Sequence, residues 1–440
     1  MKKIMAMIGI FLLPSMALAK TDTPTYNLPQ VIEFALKNEP RLTGLGKDVK
    51  ATEYAINAAK GERWPKVDLG AGITRYRYPT AISPIAGSPQ NSSFPDFDKD
   101  IYDAGVSLKI PLYRGGRLEK NIDIAKITKM VTEGTFRQGK QELVYNLTST
   151  YCKILELEAI LKAREQMVKQ LEEHRRVTDQ FVKAGKLARV ELMKTDVELS
   201  HTRQQALEAQ NALAATYALL RTLMGADETY PQFTIAGEPL FLKVHSQEAE
   251  GVKVALQQRP EYRKASAQAE LQQAKLDLTK GKRLPSLDLA GDFTEKAGDS
   301  FSFKDNWNIG LRLSYPLFDG GITRAEINKG SLELERSQEE LRAVRLLIVQ
   351  EVKVAFLGVS DAEKRVSVSK EAISAAEENL RVEQLKYETG DGTTKDVIDA
   401  QTALLRSITD WHQASYDLLT AQAALEKALG SNVPEEVDSR

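Results

Sequence analysis

The sequence has few of the residues on which most enzyme and metal sites depend. Its 440 residues include one cysteine, Cys152, and four histidines that are scattered along the chain. A single cysteine excludes a disulfide framework within the chain and any cysteine-rich metal cluster. The patterns His-Glu-x-x-His, Gly-x-Ser-x-Gly and Gly-x-Gly-x-x-Gly are also absent. We therefore expect neither an enzyme nor a bound metal or cofactor.

Long hydrophobic runs and an excess of charge are missing as well. Beyond the N-terminus no stretch approaches about 18 consecutive apolar residues, so the sequence excludes a helical membrane protein. Strands could still cross a membrane as a closed β-barrel. The 60 basic and 61 acidic residues give a net charge of −1, which offers no support for a nucleic-acid partner.

The N-terminus has the pattern of a secretory signal peptide. Lys2 and Lys3 precede an apolar run over residues 4–13, and Ala-Leu-Ala at 17–19 provides a small-residue cleavage site. A short buried helix or a membrane anchor is the alternative, but the run is too short to span a bilayer. Residues 1–19 are therefore predicted to be removed on export, and no cysteine follows them to accept a lipid.

Proline is absent from residues 112–230 and 317–433, although the chain contains 16 prolines. Proline interrupts helices, so these stretches have room for very long ones. Residues 116–185 alone would form a helix of about 100 Å. Within both stretches apolar and small residues recur every three and four positions, which is typical of coiled-coil packing. These seams run over residues 192–223 and 397–428, and a soluble coiled coil would show the same pattern.

The chain contains a tandem repeat. The sequence Pro-Leu-Tyr-Arg-Gly-Gly at 111–116 returns as Pro-Leu-Phe-Asp-Gly-Gly at 316–321. Gly185 returns as Gly390 at the same spacing of 205 residues. Two copies of one structural unit predict a pseudo-symmetric fold.

The spacing of the repeat changes once. Upstream of the strands, Asn-Glu-Pro at 38–40 corresponds to Gln-Arg-Pro at 258–260, at a spacing of 220. The first copy therefore has 15 more residues, which fall between Pro65 and Pro111. This segment is rich in proline, glycine and polar residues, as surface loops are. The two copies are expected to differ in one loop.

Four segments alternate strictly between apolar and polar or small residues, as strands with two different faces do. Their length of about 10 residues is enough to cross a bilayer at a tilt. An ordinary half-buried antiparallel sheet would alternate in the same way, but the signal peptide favours the membrane. The predicted strands are 67–78, 101–112, 286–295 and 306–317.

Four strands cannot close into a barrel in lipid, because the open edges would leave backbone groups without hydrogen bonds. Two chains would supply eight strands with a filled interior, and three would supply twelve strands with room for a lumen. Small residues on the polar face, such as Gly70, Gly72, Gly105 and Gly310, favour an open interior. We therefore expect a homotrimer.

Together these features resemble the TolC-type outer membrane efflux protein family. The resemblance covers essentially the whole mature chain. It rests on the tandem repeat, the Pro-Leu-aromatic-x-Gly-Gly motifs, the Tyr387-x-x-Gly390 turn and the Asp-Val-Ile-Asp sequence at 396–399. It implies an α+β membrane protein, a trimer whose transmembrane β-barrel of twelve strands, four per chain, continues into a long antiparallel α-helical coiled-coil barrel. The implied location is the outer membrane, with a large periplasmic extension.

The resemblance also implies a division of the chain. Each repeat would carry strands and a long helical hairpin, and a linker between the repeats would lie in an equatorial belt around the tunnel. The first repeat would occupy 20–225 with its hairpin at 116–225, the linker 226–259, the second repeat 260–430 with its hairpin at 320–430, and the C-terminal tail 431–440.

In the resembled family acidic residues ring the periplasmic entrance, and Asp396 and Asp399 match them. Six carboxylates around a narrow opening would attract cations and could gate by charge. Either residue could instead cap a helix start or pair with a lysine such as Lys395. Tyr387 and Glu191 match the tyrosine and the acidic residue that hold the tip closed.

Gly392 stands where the family has the basic partner of that lock, so the closed state is expected to lack one charge-assisted link. The turns between the helices resemble the surface that meets a periplasmic adaptor protein. A glycine there could equally be a left-handed helix C-cap. The docking tip predicted in this way comprises Gly185, Lys186, Leu187, Gly390, Asp391, Gly392 and Thr393.

The implied function is that of a passive exit duct in a tripartite efflux or type I secretion system. Its partners would be the other copies in the homotrimer, a periplasmic adaptor protein, an inner-membrane pump of RND or ABC type, and outer-membrane lipid. The alternative is a periplasmic adaptor or a structural coiled-coil protein without a pore. An adaptor uses one helical hairpin per chain, whereas this sequence predicts two, each preceded by paired strands.

Overall fold

The computed structural model describes residues 24–88, 91–238 and 248–431. The expected signal peptide at 1–19 and almost all of the expected tail lie outside the described residues. In chain order the elements are β1 (Thr25–Tyr26), α1 (Leu28–Asn38), α2 (Pro40–Gly61), β2 (Lys66–Ala81), β3 (Ala86–Ser88), β4 (Asn91–Ser93), β5 (Phe97–Tyr113), α3 (Arg117–Lys183), α4 (Arg189–Met224), β6 (Thr234–Ile235), α5 (Glu248–Gln258), α6 (Pro260–Lys280), a 3₁₀ turn (Gly281–Arg283), β7 (Ser286–Ala297), β8 (Lys304–Ser314), α7 (Ile322–Thr389) and α8 (Thr394–Leu429).

Two very long helices dominate the structure. α3 has 67 residues and α7 has 68. Because neither contains proline, the ladder of backbone hydrogen bonds continues without interruption for about 100 Å. Each long helix then reverses into a helix of 36 residues, α4 or α8, so that each repeat ends in a long antiparallel hairpin.

The shorter helices pack end to end along the long ones. α2 and α4 cover successive stretches of α3, and α6 and α8 cover successive stretches of both α3 and α7. The largest hydrophobic core lies where α1, α4 and the pair β1–β6 meet α3, around the fully buried Leu147, Tyr151 and Ile154. Within the described residues, no helix combines the length and the apolar composition needed to cross a membrane.

Four strands form one antiparallel sheet in the order β2-β5-β7-β8, with β2 and β8 as its edges. The register aligns the alternation of all four strands, so that Leu69, Val106, Phe293 and Trp307 form one continuous apolar row. No described element covers this face, and Leu69 and Trp307 are 82% and 68% exposed. The corresponding row on the opposite face is polar and consists of Asp68, Ser107, Asp292 and Asn308.

The strands differ in length from those that the sequence predicts. β2 extends to Ala81 and β5 begins at Phe97, because their pairing resumes after a register shift between Arg75 and Thr80. β8 ends at Ser314 rather than at 317, because its partner residue Ser286 is the first of β7. Alternation identifies the faces of a strand, whereas its ends depend on where the partner strand stops.

The segment 226–259 contains two short elements among its described residues. β6 pairs in parallel with β1. α5 packs against α7 and α8, where Ala255 joins a second core with Ile348 and Val352 of α7. The segment therefore packs against the helical part of the chain.

Candidate gate at the helical tip

The two hairpins end in turns built around glycines with left-handed backbones. Gly185 has φ of +73° and Gly390 has φ of +89°. After each glycine the next N–H reaches back to the helix, from Lys186 to the carbonyl oxygen of Phe181 and from Asp391 to that of Lys386, both at 2.9 Å. This hydrogen-bond pattern is the left-handed C-cap, and it leaves the turn residues at the end of the molecule.

The α3–α4 and α7–α8 hairpins pack against each other near these turns. Leu199 of α4 and Ile398 of α8 lie in one buried cluster with Met167 and Leu171 of α3. α8 therefore packs on both helices of the α3–α4 hairpin near the tip of a single chain.

Tyr387 connects α7 to α3 inside the bundle. Its ring centroid lies 5.3 Å from that of His174 and 6.1 Å from that of Phe181. Its hydroxyl oxygen is 3.4 Å from Oγ1 of the fully buried Thr178. Tyr387 therefore holds the two long helices together mainly through its ring, because the hydrogen bond is long.

Glu191 has a separate environment. Its Oε1 accepts a hydrogen bond from Nζ of Lys194 at 2.8 Å, and its Oε2 is buried without a hydrogen-bond partner among the described residues. The structure thus places Glu191 in the first turn of α4 and brings no hydrogen bond between it and Tyr387. Within the single chain, Tyr387 and Glu191 therefore contact different neighbours.

Asp396 forms a capping box with Thr393 at the start of α8. Its Oδ2 accepts from the hydroxyl of Thr393 at 2.7 Å and from the N–H of Thr393 at 3.1 Å, while Thr393 Oγ1 accepts from the N–H of Asp396 at 3.2 Å. These hydrogen bonds favour the ionised carboxylate and lower the pKa of Asp396 from its ordinary value of 3.8. Asp396 is therefore fixed in position and charged at neutral pH.

Asp399 lies one turn further along α8 and is exposed. Its Oδ2 lies 2.5 Å from Nζ of Lys395. Both local contacts that the sequence offers as alternatives to a pore role, a cap for Asp396 and a lysine partner for Asp399, are thus present in the single chain. A position at the pore remains compatible with them, since a capped or paired carboxylate still carries its charge.

The residues of the predicted docking tip lie together at the end of the bundle. Gly185, Lys186, Gly390, Asp391 and Thr393 are exposed, while Leu187 and Gly392 are partly buried. A Cβ added at Gly392 would lie 2.9 Å from the backbone nitrogen of Tyr387. The tight turn therefore leaves no room for a side chain at this position.

Sequence reasoning missed the α3 side of the tip. His174 is only 9% exposed, its Nε2 has no hydrogen-bond partner among the described residues, and its burial lowers the pKa of the imidazole. The positions of Leu171, His174, Thr178 and Phe181 follow the three-and-four spacing of a helical seam. This spacing was the available signal that His174 and Thr178 face the neighbouring helices.

The chain matches the outer membrane efflux protein family over residues 31–226 and 251–431. Outer membrane protein TolC of Escherichia coli is 23% identical over an alignment of 455 positions, which covers 98% of this chain and 87% of that protein. Alkaline protease secretion protein AprF of Pseudomonas aeruginosa is 22% identical over 100% of this chain and 90% of its own length. The crystal structure of the CmeC outer membrane channel of Campylobacter jejuni has a TM-score of 0.79 at 17% identity, covering 99% of this chain and 96% of that one.

The family match includes both repeats and most of the chain. It confirms the resemblance that the sequence predicts, and the structural likeness confirms the fold class, long helices combined with a four-stranded sheet. The relatives are named as outer-membrane, efflux and secretion proteins. The chain therefore belongs to the outer membrane efflux protein family, and it works in the outer membrane in efflux or secretion.

Proposed function

We propose that three copies of the chain close into one passive duct, a twelve-stranded barrel in the outer membrane that continues into a tunnel of twelve helices. The observation that carries this proposal is the uncovered apolar face of the sheet, which spans all four strands. Lipid stabilises such a face but does not hydrogen-bond the free edges of β2 and β8. Closure with further copies satisfies the backbone and leaves the apolar face in lipid.

The helical part supports the same closure. α7 and α4 carry exposed apolar side chains along much of their length, which is typical of surfaces that contact another protein. We infer that α7 of one protomer packs beside α2 and α4 of the next. The side chains concerned include Leu346, Val354, Leu357 and Val368 on α7, and Val190, Val197, Leu207 and Leu219 on α4.

The tip is the proposed gate of this duct. Opening would separate Tyr387 from α3 and the α7–α8 hairpin from the α3–α4 hairpin. Asp396 and Asp399 would ring the opening, where three copies of each carboxylate attract cations. Glu191, with one carboxylate oxygen buried beside the tip, would help to hold the α4 side of the closed state.

Further partners would contact the tip of the helical part. The exposed turn residues, among them Lys186 and Asp391, would meet a periplasmic adaptor protein that recruits an inner-membrane pump of RND or ABC type. The segment 226–259 would lie in a belt around the middle of the tunnel. The names of the relatives include protease secretion as well as solvent efflux, so either pump class fits this chain.

Two arginine substitutions on β8 test the lipid contact. Leu311 and Asn308 are both exposed in the single chain but lie on opposite faces of the sheet. In the proposed barrel Leu311 faces lipid, where an arginine near the midplane costs about 2–4 kcal/mol, and Asn308 faces the lumen. We expect Leu311→Arg to remove the trimer from the outer-membrane fraction and Asn308→Arg to assemble normally. Equal tolerance of both substitutions would overturn the barrel and favour a periplasmic adaptor or coiled-coil protein without a pore.

A further inference from the structure

The sheet has two free edges that a second copy of the chain can join. β2, β5, β7 and β8 alternate in direction, so β8 runs opposite to β2. Rotation about a shared axis preserves strand direction, and β8 of one protomer therefore meets β2 of the next as an antiparallel pair. Closure in this way rests on the proposed function, but it leaves open which residues of the two edges stand opposite each other.

The two faces of the strands restrict the possible registers between β8 and β2. The apolar face of β8 carries the odd-numbered residues from Asp305 to Leu313, and that of β2 carries the odd-numbered residues from Val67 to Arg75. A register that is wrong by one residue would turn one apolar face inward. Allowed registers therefore differ by steps of two residues.

The length over which β2 pairs with β5 without interruption restricts the register further. β2 pairs with β5 without interruption from Lys66 to Arg75, and the register shifts beyond that point. β8 runs for 11 residues, from Lys304 to Ser314. Among the allowed registers, the overlap with the regular part of β2 is greatest when Leu313 lies opposite Val67, because only Lys304 of β8 then falls outside it. This register places Asp305 opposite Arg75.

Charge on the apolar face supports this register. Asp305 and Glu295 are direct cross-strand partners, and like charges in that arrangement repel each other. Neither carboxylate has a cation within salt-bridge distance among the described residues. The side chain of Arg75 is 79% exposed at the other edge, where it forms a long salt bridge of 3.6 Å with its cross-strand partner Asp100. A neighbouring protomer would thus bring the missing cation to Asp305.

Charges on the polar face independently favour the same register. In the same register Arg312 of β8 lies opposite Asp68 of β2. A shift of two residues in one direction puts Arg312 opposite Lys66, and a shift in the other puts it opposite Gly70. Opposite charges stand across the joint on both faces in one register alone.

We propose that β8 of one protomer pairs with β2 of the next in the register that sets Asp305 opposite Arg75 and Arg312 opposite Asp68. The partner is a second copy of this chain, and the two charge pairs select the register in which the wall closes. Edge strands that lack such pairs are free to slip or to recruit other strands.

Cysteine pairs in the full-length protein test the register. Ile309 stands opposite Ala71 in the proposed pairing, so Ile309→Cys with Ala71→Cys should form an inter-protomer disulfide in outer membranes. Ile309→Cys with Ile73→Cys or with Leu69→Cys should crosslink at least about tenfold less, because diagonal neighbours are too far apart for a disulfide. Ile309→Cys alone, with the buried Cys152 left in place, is the control.

The outcomes separate the two proposals. A trimer that crosslinks through residue 73 or 69 instead of 71 overturns the register and leaves the duct intact. Material that forms no trimer and no crosslink overturns the duct itself.

Charge reversal tests the pair of Asp305 and Arg75. Arg75→Asp and Asp305→Arg should each lower the yield of the 71–309 crosslink, and their combination should restore it. The combination of Arg77→Asp with Asp305→Arg should not restore it. If Arg75→Asp combined with Asp305→Arg does not restore the crosslink, the charge pair does not select the register.

Discussion

Gly225 ends α4 directly against the carbonyl oxygen of Asn38, so that a Cβ added at Gly225 would lie 2.6 Å from that oxygen. The second repeat has the same relationship, since Gly430 at the end of α8 lies against Gln258 and Arg259. In the sequence the two members of each joint belong to segments with different repeat spacings. In the structure they form equivalent joints: the end of α4 meets the start of α2, and the end of α8 meets the start of α6.

Gly225→Ala is expected to destabilise the protein by roughly 2–4 kcal/mol, because a methyl group would add a backbone clash to the strain of a left-handed residue. Gly116→Ala is the matched control. Its φ of +72° is close to the +69° of Gly225, but the space around it is open. We expect Gly116→Ala to lose about 1–2 kcal/mol of stability from the backbone strain alone. Thermal unfolding of the purified variants, followed by circular dichroism, compares them, and equal losses would show that the joint has room for a side chain.

Tyr387→Phe and Tyr387→Ala separate the hydroxyl of the tyrosine from its ring. The phenylalanine variant keeps the ring against His174 and Phe181 and loses only a hydrogen bond of 3.4 Å, so it should cost less than about 1 kcal/mol. The alanine variant removes the contact between α7 and α3. In planar bilayers we expect an increased conductance for Tyr387→Ala and a nearly unchanged one for Tyr387→Phe. An equal increase in both would assign the closure to the hydroxyl.

Asp396→Asn and Asp396→Ala distinguish a charged gate from a helix cap. Asparagine keeps an oxygen that accepts from the N–H of Thr393 but removes the charge, while alanine removes both. If the carboxylate attracts cations at the pore, both variants should lose cation selectivity to a similar degree in bilayer recordings. If it serves only the cap, selectivity should stay unchanged in both variants, and only the alanine variant should loosen the tip. Asp399→Asn provides the comparison for a carboxylate whose partner is a lysine.

Acidic solution is expected to open the tip through His174. Burial lowers the pKa of this imidazole below its ordinary value of 6.5, so the closed state binds fewer protons than an open state in which the ring is hydrated. Closed-state stability therefore falls as the pH drops below about 6.5 toward the lowered value, and it is fully present above that range. We expect the conductance in planar bilayers to rise as the pH is lowered from about 7.5 to about 5.5.

His174→Gln should abolish this pH dependence, because glutamine does not titrate in that range. His201→Gln is the control, since the side chain of His201 is 57% exposed on α4. A pH response that survives in His174→Gln would place the sensor elsewhere.

The local features of the tip could be foreseen, while its contacts across the bundle could not. The cap of Asp396 and the pairing of Asp399 with Lys395 span three and four residues, and helix geometry alone suggests both. The contact between Tyr387 and His174 joins residues more than 200 positions apart. Its existence depends on how the two hairpins pack, which no local pattern encodes. The sequence therefore indicated Tyr387 through the resemblance, but it did not indicate the contact of Tyr387 with His174.

The sequence by itself determined the long helices and the two faces of each strand, because proline, periodicity and alternation act over short distances along the chain. It also determined the repeat, because the two copies keep the same motifs 205 residues apart. Only the tertiary structure decided where β8 ends, that Gly392 has no room for a side chain, and that His174 is buried beneath Tyr387. Each of these depends on a neighbour that is distant in sequence or on the exact path of a turn. Packing selects one arrangement of distant segments among many that the same local pattern allows.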